Sequence, residues 1–480
     1  MCAPGEDAAA AAASSKTRAA APRVADGSCG ARFVVEQQEF KQQFYHVYRH
    51  RLEQLRPALV AAAQEKWGQR GGEPPAIRER VLDAPLGETS VIVGTLGKTM
   101  KLRSGILDEY LNEEKAASSA KLSNFTSDDD SLALEDETGR VQLTGAIEAA
   151  TGRLVAGVVI ALLGTAHEGN EFHVADFCFA GTPAPAMAEA GDAAGDAGED
   201  TYVALVSGLR MGRNEESLLA TKMMVDYLTG WDAPQNGPAE QSALQPERIV
   251  RTIVAGNSFD IRPVDDSQLT PAQLRAKQVR GTMTYEMNPV KELDCLLAQL
   301  GASMPVDLMP GATDPANCSL PQQPLYRHFV AKAAHYPSLS TVTNPAEVTV
   351  GRTRGDGDVA TTTFLGTSGQ NVDDIARYTS PTEADAEPLA ILGNLLNWRH
   401  LAPTAPDTLA LYPFTETDPF VLDSAPDVFF AGNQAAFGTA VKDNVRLVAV
   451  PDFSTTRTIV LLNLRTRECH PVVFQPPSHA

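Results

Sequence analysis

Five segments of the chain carry an apolar, β-branched run into a glycine-bearing turn. They are Ser207-Gly208-Leu209-Arg210-Met211-Gly212, Ala255-Gly256-Asn257, Pro310-Gly311-Ala312-Thr313-Asp314, Thr367-Ser368-Gly369-Gln370-Asn371 and Ala431-Gly432-Asn433. In open α/β sheets, active sites assemble at the carboxyl ends of strands, so these turns are where chemistry is expected. The donors that divalent catalytic metals need, carboxylate and imidazole, are nearly absent from them. Asp314 is the single carboxylate in the five turns. Amide, hydroxyl and methyl side chains do not balance the desolvation of two adjacent ions, and an arginine adds repulsion.

Other chemistry-bearing residues fail on spacing. Gly97-Lys98-Thr99 resembles the end of a phosphate-binding loop, but the first glycine that loop requires falls on Ile92. His167-Glu168 and His173 are separated by the turn-forming pair Gly169-Asn170, so they read as hairpin histidines and not as a zinc-binding helix. His400 sits in the proline-rich run Arg399-His400-Leu401-Ala402-Pro403-Thr404-Ala405-Pro406, where a hydrogen-bonded structural histidine in a rigid turn is expected. Neither a G-x-S-x-G nucleophile elbow nor a G-x-G-x-x-G sequence occurs.

Composition narrows the partners. Forty basic residues against sixty acidic ones give a net charge of −20, which opposes general affinity for a phosphate backbone and points to work through protein partners. The six cysteines form no C-x-x-C pair, so neither a zinc site nor a disulfide framework is expected. The longest apolar stretch, Leu154 to Leu163, is far short of the ~20 residues that span a bilayer, and no membrane contact is expected. Residues 1–32 read as a disordered alanine-rich extension. Glu6, Asp7 and Asp26 argue against an organelle transit peptide.

The elements that position the turns follow from periodicity. From Glu36, apolar residues Phe40, Phe44, Tyr48, Leu52 and Leu55 recur at helical spacing, with Pro57 interrupting the run. Strand patterns follow at Thr89–Leu96, Ser131–Leu134, Arg140–Gly145, Leu154–Gly164 and Glu171–Phe179, the strand count of an OB barrel. The stretch from Leu132 to Leu143 alternates on both sides of a turn carrying Gly139, as a hairpin does. Gly181–Asp200, with four Gly and two Pro, reads as an acidic linker or loop. Beyond it, strand at Tyr202–Ser207, helix at Glu216–Leu228, strand at Arg248–Ala255, helix at Val290–Leu300 and strand at Val306–Met309 argue for an α/β layer fold. Short strands return at Phe364–Gly366, Leu409–Leu411, Val428–Phe430, Leu447–Pro451, Thr458–Asn463 and Pro471–Phe474. The expected organisation is 1–32 extension, 33–180 helix and OB domain, 181–200 linker, and 201–480 α/β domain.

The order and spacing of the five turns resemble the metallophosphoesterase family, whose active members hold two metals through conserved Asp, His and Asn positions. By that resemblance the first ligand pair falls on Gly208 and Arg210, the bridging acid on Asn257, and the Asn-His pair on Ala312 and Thr313. The lone His falls on Ser368 and the last pair on Asn433 and Ala435. The runs Pro305–Pro315, Ser319–Leu325, Phe364–Val372, Pro403–Leu409 and Val448–Ser454 resemble signatures of the small, or B, subunits of DNA polymerase delta. The resemblance implies an all-β OB barrel with an N-terminal helix, followed by an inactivated calcineurin-like phosphoesterase α/β sandwich, with no catalytic residue, metal or cofactor. It also implies that the segment before the first helix packs back onto the second domain. The implied role is a nuclear scaffold that joins the cysteine-rich C-terminal domain of the catalytic subunit to a third accessory subunit. The sliding clamp would be reached indirectly and DNA at most weakly. Two rival readings are an active metal-dependent 3'-5' exonuclease and a single-stranded DNA-binding OB module, for which Lys98, Lys101, Arg103 and Arg140 would supply a basic patch.

Overall fold

The computed structural model describes residues 30–475 except 37–38, 40, 69–74, 104–121, 186–198, 214, 232–244, 262, 264–266, 268, 281–284, 355–357 and 383. The alanine-rich extension before Gly30 and the middle of the Gly181–Asp200 stretch thus lie outside the described residues. Helix α1 (Tyr45–Trp67) starts later than its apolar pattern suggests and contains Pro57 instead of ending there. Its buried stripe is Val47, Arg51, Leu55, Leu59, Ala63 and Trp67. Phe44, from the expected stripe, is exposed. The helix is rotated because an arginine, Arg51, is wholly buried, which hydrophobic periodicity does not anticipate.

After the short β1 (Ala76–Ile77), strands β2 (Thr89–Thr99), β3 (Ser131–Glu135), β4 (Arg140–Gly145), β5 (Val159–His167) and β6 (Glu171–Cys178) form a sheet in the order β1-β2-β3-β4-β6-β5. A further pairing of β2 with β5 closes it into a five-stranded barrel. Within the barrel, strand β2 serves two neighbours, pairing with β5 over Thr89–Thr95 and with β3 over Thr95–Thr99. At the bend a Cβ on Gly94 would meet the Glu135 carbonyl oxygen at 2.8 Å, so this position takes glycine. Alternation sends Ile92, Leu134, Ile160 and Phe172 into one core, while Val91, Val93, Val159 and Ala161 pack under α1 against Leu55, Leu59 and Trp67. Full burial of such a side chain contributes about 1.5–3 kcal/mol.

The remainder is built from β7 (Tyr202–Val206), α2 (Glu215–Thr229), β8 (Ile249–Ala255), α3 (Pro271–Arg280), α4 (Asn288–Ser303), β9 (Val306–Met309), β10 (Leu339–Thr341), β11 (Ala346–Thr353), β12 (Val359–Thr367), α5 (Gln370–Tyr378), α6 (Pro388–Trp398), β13 (Val428–Gln434), β14 (Gly438–Lys442), β15 (Val445–Pro451), β16 (Thr458–Asn463) and β17 (Cys469–Val473). Two sheets result, ordered β10-β9-β8-β7-β16-β17 and β11-β12-β13-β15-β14. Val203, Leu205 and Ile253 of the first meet Phe364, Phe430 and Val448 of the second in a shared core. Helices α2 and α4 cover the far face of the first sheet, and α5 and α6 that of the second, giving a four-layer sandwich. The expected strand at Leu409–Leu411 reduces to a single bridge from Leu411 to Leu320.

Barrel and sandwich share one apolar cluster, in which barrel residues Leu132 and Ile160 continue into Ile391 and Phe429 of the sandwich. The segment before α1 does pack back: Phe33 is fully buried, Arg32 donates to the Val421 carbonyl oxygen at 3.0 Å, and Gln323 Nε2 donates to the Phe33 carbonyl oxygen at 3.0 Å. Beneath α1, Arg51 Nε donates to Asp418 Oδ2 at 2.9 Å, and its two Nη groups reach the carbonyl oxygens of Gly157, Pro403 and Ala405 at 3.3, 2.9 and 2.9 Å. His400 Nε2 donates to the same Asp418 Oδ2 at 2.8 Å, while His400 Nδ1 accepts the Ala402 N–H at 3.1 Å. His400 is thus the hydrogen-bonded structural histidine that its sequence setting suggests.

Candidate functional site

The five glycine-bearing turns converge where β7, β8, β9, β12 and β13 end. The site has two linked halves. In one, Thr313 N donates to Asn257 Oδ1 at 3.1 Å, and Arg210 N donates to the Asn257 carbonyl oxygen at 2.9 Å. In the other, Asn433 Nδ2 donates to the Ser368 carbonyl oxygen at 2.8 Å and to the Ala255 carbonyl oxygen at 3.1 Å. Gly208 abuts this half, because a Cβ there would lie 2.8 Å from Asn433 Oδ1 and 2.7 Å from Asp452 Cγ. Six of the eight positions singled out in the sequence are thereby brought together. Ala312 and Ala435 are exposed neighbours with no polar side chain to contribute.

The backbone keeps the shape of a site that demands unusual conformations. Arg210, Asn257 and Asn433 have φ of 42°, 53° and 59°. A left-handed conformation is uncommon for such residues and is best tolerated by Asn. Gly256 at φ 79° and Gly369 at φ 94° sit where a Cβ would approach Ser368 Cβ at 2.6 Å and the Gly432 carbonyl oxygen at 2.1 Å.

Most of the polar side chains that remain are bonded internally, although Asn433 Oδ1 and Asn371 Oδ1 are buried with no hydrogen-bond partner. The Asn344 amide donates to Ser368 Oγ at 2.7 Å, Gln370 Oε1 at 2.8 Å and Gln322 Oε1 at 2.9 Å, and its oxygen accepts the Ser368 N–H at 3.0 Å. Asp314 is buried and accepts backbone N–H groups from Phe259 at 2.9 Å and Gly311 at 2.8 Å. Burial pushes its carboxyl up to about 6 against the pull of those donors. Arg210 Nε donates to Asp452 Oδ2 at 2.7 Å, and the other carboxylate oxygen accepts from Ser454 Oγ at 2.6 Å. Asp373, at the start of α5, is exposed, with Gln434, Arg377 and Arg210 beside its carboxyl. Among the described residues no group of three or more His, Cys, Asp or Glu side chains is placed to hold a metal ion. The arrangement braces five loops against one another through their own side chains and backbone.

The barrel offers no free cationic face from the expected patch. Lys98 is buried and donates to the carbonyl oxygens of Tyr378 at 2.9 Å and Leu154 at 3.0 Å, joining barrel to α5, and burial lowers its pKa to about 8. Lys101 pairs with Asp129 at 2.8 Å, Arg140 with Glu135 at 3.0 Å, and Arg103 donates to the Asp407 carbonyl oxygen at 2.7 Å. The rival reading requires these cations to share a surface, whereas local hydrogen bonding and ion pairing draw them to separate partners.

Two family models match the chain. The DNA polymerase delta subunit OB-fold domain matches residues 43–177, and the DNA polymerase alpha/epsilon B-subunit family matches residues 203–439. The DNA polymerase delta small subunit of Oryza sativa subsp. japonica is 40% identical over 449 residues, covering 92% of this chain and 96% of the relative. The chain belongs to the DNA polymerase delta small-subunit family. The Arabidopsis thaliana relative of the same name is 38% identical over 92% of this chain and 94% of its own length, and the Saccharomyces cerevisiae relative 30% over 91% and 90%. Against this family background, sequence reasoning found the turns but missed Asn344, Gln322 and Asp452 as their braces. An isolated amide carries no chemical signature, and the signal that existed for Asp452 was its place after the apolar run Val445–Pro451.

Proposed function

We propose that this chain is a non-catalytic accessory subunit of DNA polymerase delta, whose two-sheet domain is a phosphoesterase sandwich that has lost its metal centre. The observation that carries the reading is the set of side chains at the strand-end loops. Where an active phosphoesterase would place carboxylates and imidazoles, this chain has Gly208, Arg210, Asn257, Thr313, Ser368 and Asn433, and the polar ones among these bond to their neighbours. A guanidinium paired with Asp452 stands where divalent charge would have to be accommodated.

A braced cleft leaves rigid outer faces free to present an interface of the obligate kind, roughly 2,000 Å² or more. On this reading the chain joins the cysteine-rich C-terminal domain of the catalytic subunit to a third accessory subunit in the nucleus, and reaches the sliding clamp only through them. The buried continuity between barrel and sandwich supports a single rigid adaptor. Coexpression with the C-terminal domain of the catalytic subunit is expected to yield a stoichiometric complex on size-exclusion chromatography. Failure of the two to associate removes the assignment. Manganese-dependent cleavage of single-stranded DNA by the purified chain would restore the exonuclease reading.

A further inference from the structure

We propose that the surface formed by residues 325–337 docks single-stranded nucleic acid. In a chain with 60 acidic residues in 480, none lies between Asp314 and Glu347, while Arg327, His328, Lys332 and His335 all fall within that gap. The stretch folds as two short 3-10 turns, Arg327–Val330 and Ala333–His335. Val330 and Ala333 are fully buried and turn inward. Leu325 is also buried and Phe329 packs against the core, while Tyr326 is 65% exposed and Tyr336 38%, and Arg327, His328, Lys332 and His335 are exposed beside them.

The display is held firmly. Asp294 of α4 is buried and accepts the Lys332 N–H at 2.9 and 3.0 Å and the Ala333 N–H at 2.9 Å, so its charge is used within the fold. Arg327 Nη2 donates to the Ala334 carbonyl oxygen at 3.2 Å and ties the two turns together. The Tyr326 and His328 rings stack at 4.6 Å and 12°, a two-ring platform whose outer face is presented to solvent. On the exposed side of α4, Glu292 is offset by Lys291, and Lys332 Nζ contacts Cys295 Sγ at 3.2 Å. Exposed rings interleaved with cations, and cleared of acids, fit a ligand that carries both flat bases and phosphates. Aromatic stacking supplies affinity without sequence preference, and the cations follow the backbone. The site is separate from the barrel, where Lys98, Lys101, Arg103 and Arg140 are already engaged, and it does not depend on how the strand-end cleft is read.

The test is fluorescence anisotropy of the full-length chain with a labelled oligothymidylate of about 16 nucleotides, the upper length that one such surface covers. Salt-dependent binding is expected. Arg327→Glu with Lys332→Glu should weaken it at least roughly tenfold and flatten the slope of log K against log salt by about 1.4, the loss of two phosphate contacts. Tyr326→Ala with Tyr336→Ala should weaken it by about fivefold or more while leaving the salt slope unchanged. Unaltered thermal melting of each variant excludes misfolding, and all four side chains are outside the core. Absence of binding by the unaltered chain, or charge-reversal variants within twofold of it, would overturn the proposal. Loss of association with the catalytic subunit's C-terminal domain in those variants, without oligonucleotide binding by the unaltered chain, would show a protein contact instead.

Discussion

At the strand ends, Asn257, Thr313, Ser368 and Asn433 are held by neutral hydrogen bonds, whereas beneath α1 Arg51, Asp418 and His400 bring two charges and an imidazole out of water. The buried imidazole is therefore at the joint between barrel and sandwich, while the cleft holds mainly amides and hydroxyls together with the Arg210–Asp452 pair. What separates a site from a brace is whether its donors face a cavity or each other. Every guanidinium nitrogen of Arg51 ends on a protein oxygen, as does His400 Nε2. Such a cluster specifies geometry and leaves no valence for a substrate.

The comparison breaks most sharply at Arg51. Arg51→Ala would leave Asp418 charged, fully buried and short of its strongest donor, a change that costs about 3–5 kcal/mol. Urea unfolding should show that loss, together with weakened docking of α1 on the barrel. A variant as stable as the parent would mean that the joint is wetter than its burial indicates. Next in size is Gly157→Ala, on the same joint. Gly157 has φ of 85°, and a Cβ there would stand 1.9 Å from the Pro403 carbonyl oxygen. Left-handed strain and a backbone clash together should cost about 2–4 kcal/mol in the same measurement.

Those two residues also mark where the sequence stops being legible. Barrel strands were readable because one face is apolar and one mixed, so Ser131–Glu135 and Arg140–Gly145 announce themselves by alternation. The α1 stripe was misplaced because a buried arginine counts as polar in any periodicity, although its hydrogen bonds make it a core residue. β11 escaped notice because Ala346–Thr353 mixes Glu347, Thr349 and Gly351 into an edge strand that pairs only with β12. The cleft was half legible. Glycine turns after apolar runs located it, but the partners that make it inert, Asn344 and Gln322, arrive from distant turns with no local mark.

Acid sharpens the contrast, because the two centres respond with opposite sign. Burial beside Arg51 lowers the pKa of His400 to about 4, from an ordinary 6.5. Its contribution is complete above 6.5 and is lost as pH falls from there toward 4, since the unfolded chain then binds the proton more readily. Asp418 falls well below the ordinary carboxylate range because His400 and Arg51 outweigh its burial, so its own loss begins only in stronger acid. Asp314, buried in the cleft and raised to about 6 from 3.8, behaves inversely: its contribution is greatest below 3.8 and disappears as pH rises through 6. Denaturant midpoints at pH 7 and pH 5 test both. His400→Gln should remove about 2 kcal/mol of acid-induced destabilisation, and Asp314→Asn should remove about 1 kcal/mol of acid-induced stabilisation. Shifts of the same sign would show that one of the two environments is misassigned.

The smallest effect is expected where an active phosphoesterase would show the largest. Arg210 occupies a position that resemblance assigns to a metal ligand, yet its side chain is 25% exposed and its partner Asp452 is also held by Ser454. Removing it leaves that buried carboxylate with Ser454 as a donor and lets water in through the partly exposed position that Arg210 vacates, so Arg210→Ala should cost only about 1 kcal/mol. Association with the catalytic subunit's C-terminal domain should be unchanged, as the cleft braces the fold from within and need not touch a partner. A loss of association without loss of stability would place a partner in the cleft itself. The emptied volume should still bind no manganese in equilibrium dialysis. The nearby carboxylates are either committed to backbone donors, as Asp314 is, or set back at the start of α5, as Asp373 is, and taking away a cation does not create the imidazoles that a two-metal centre needs.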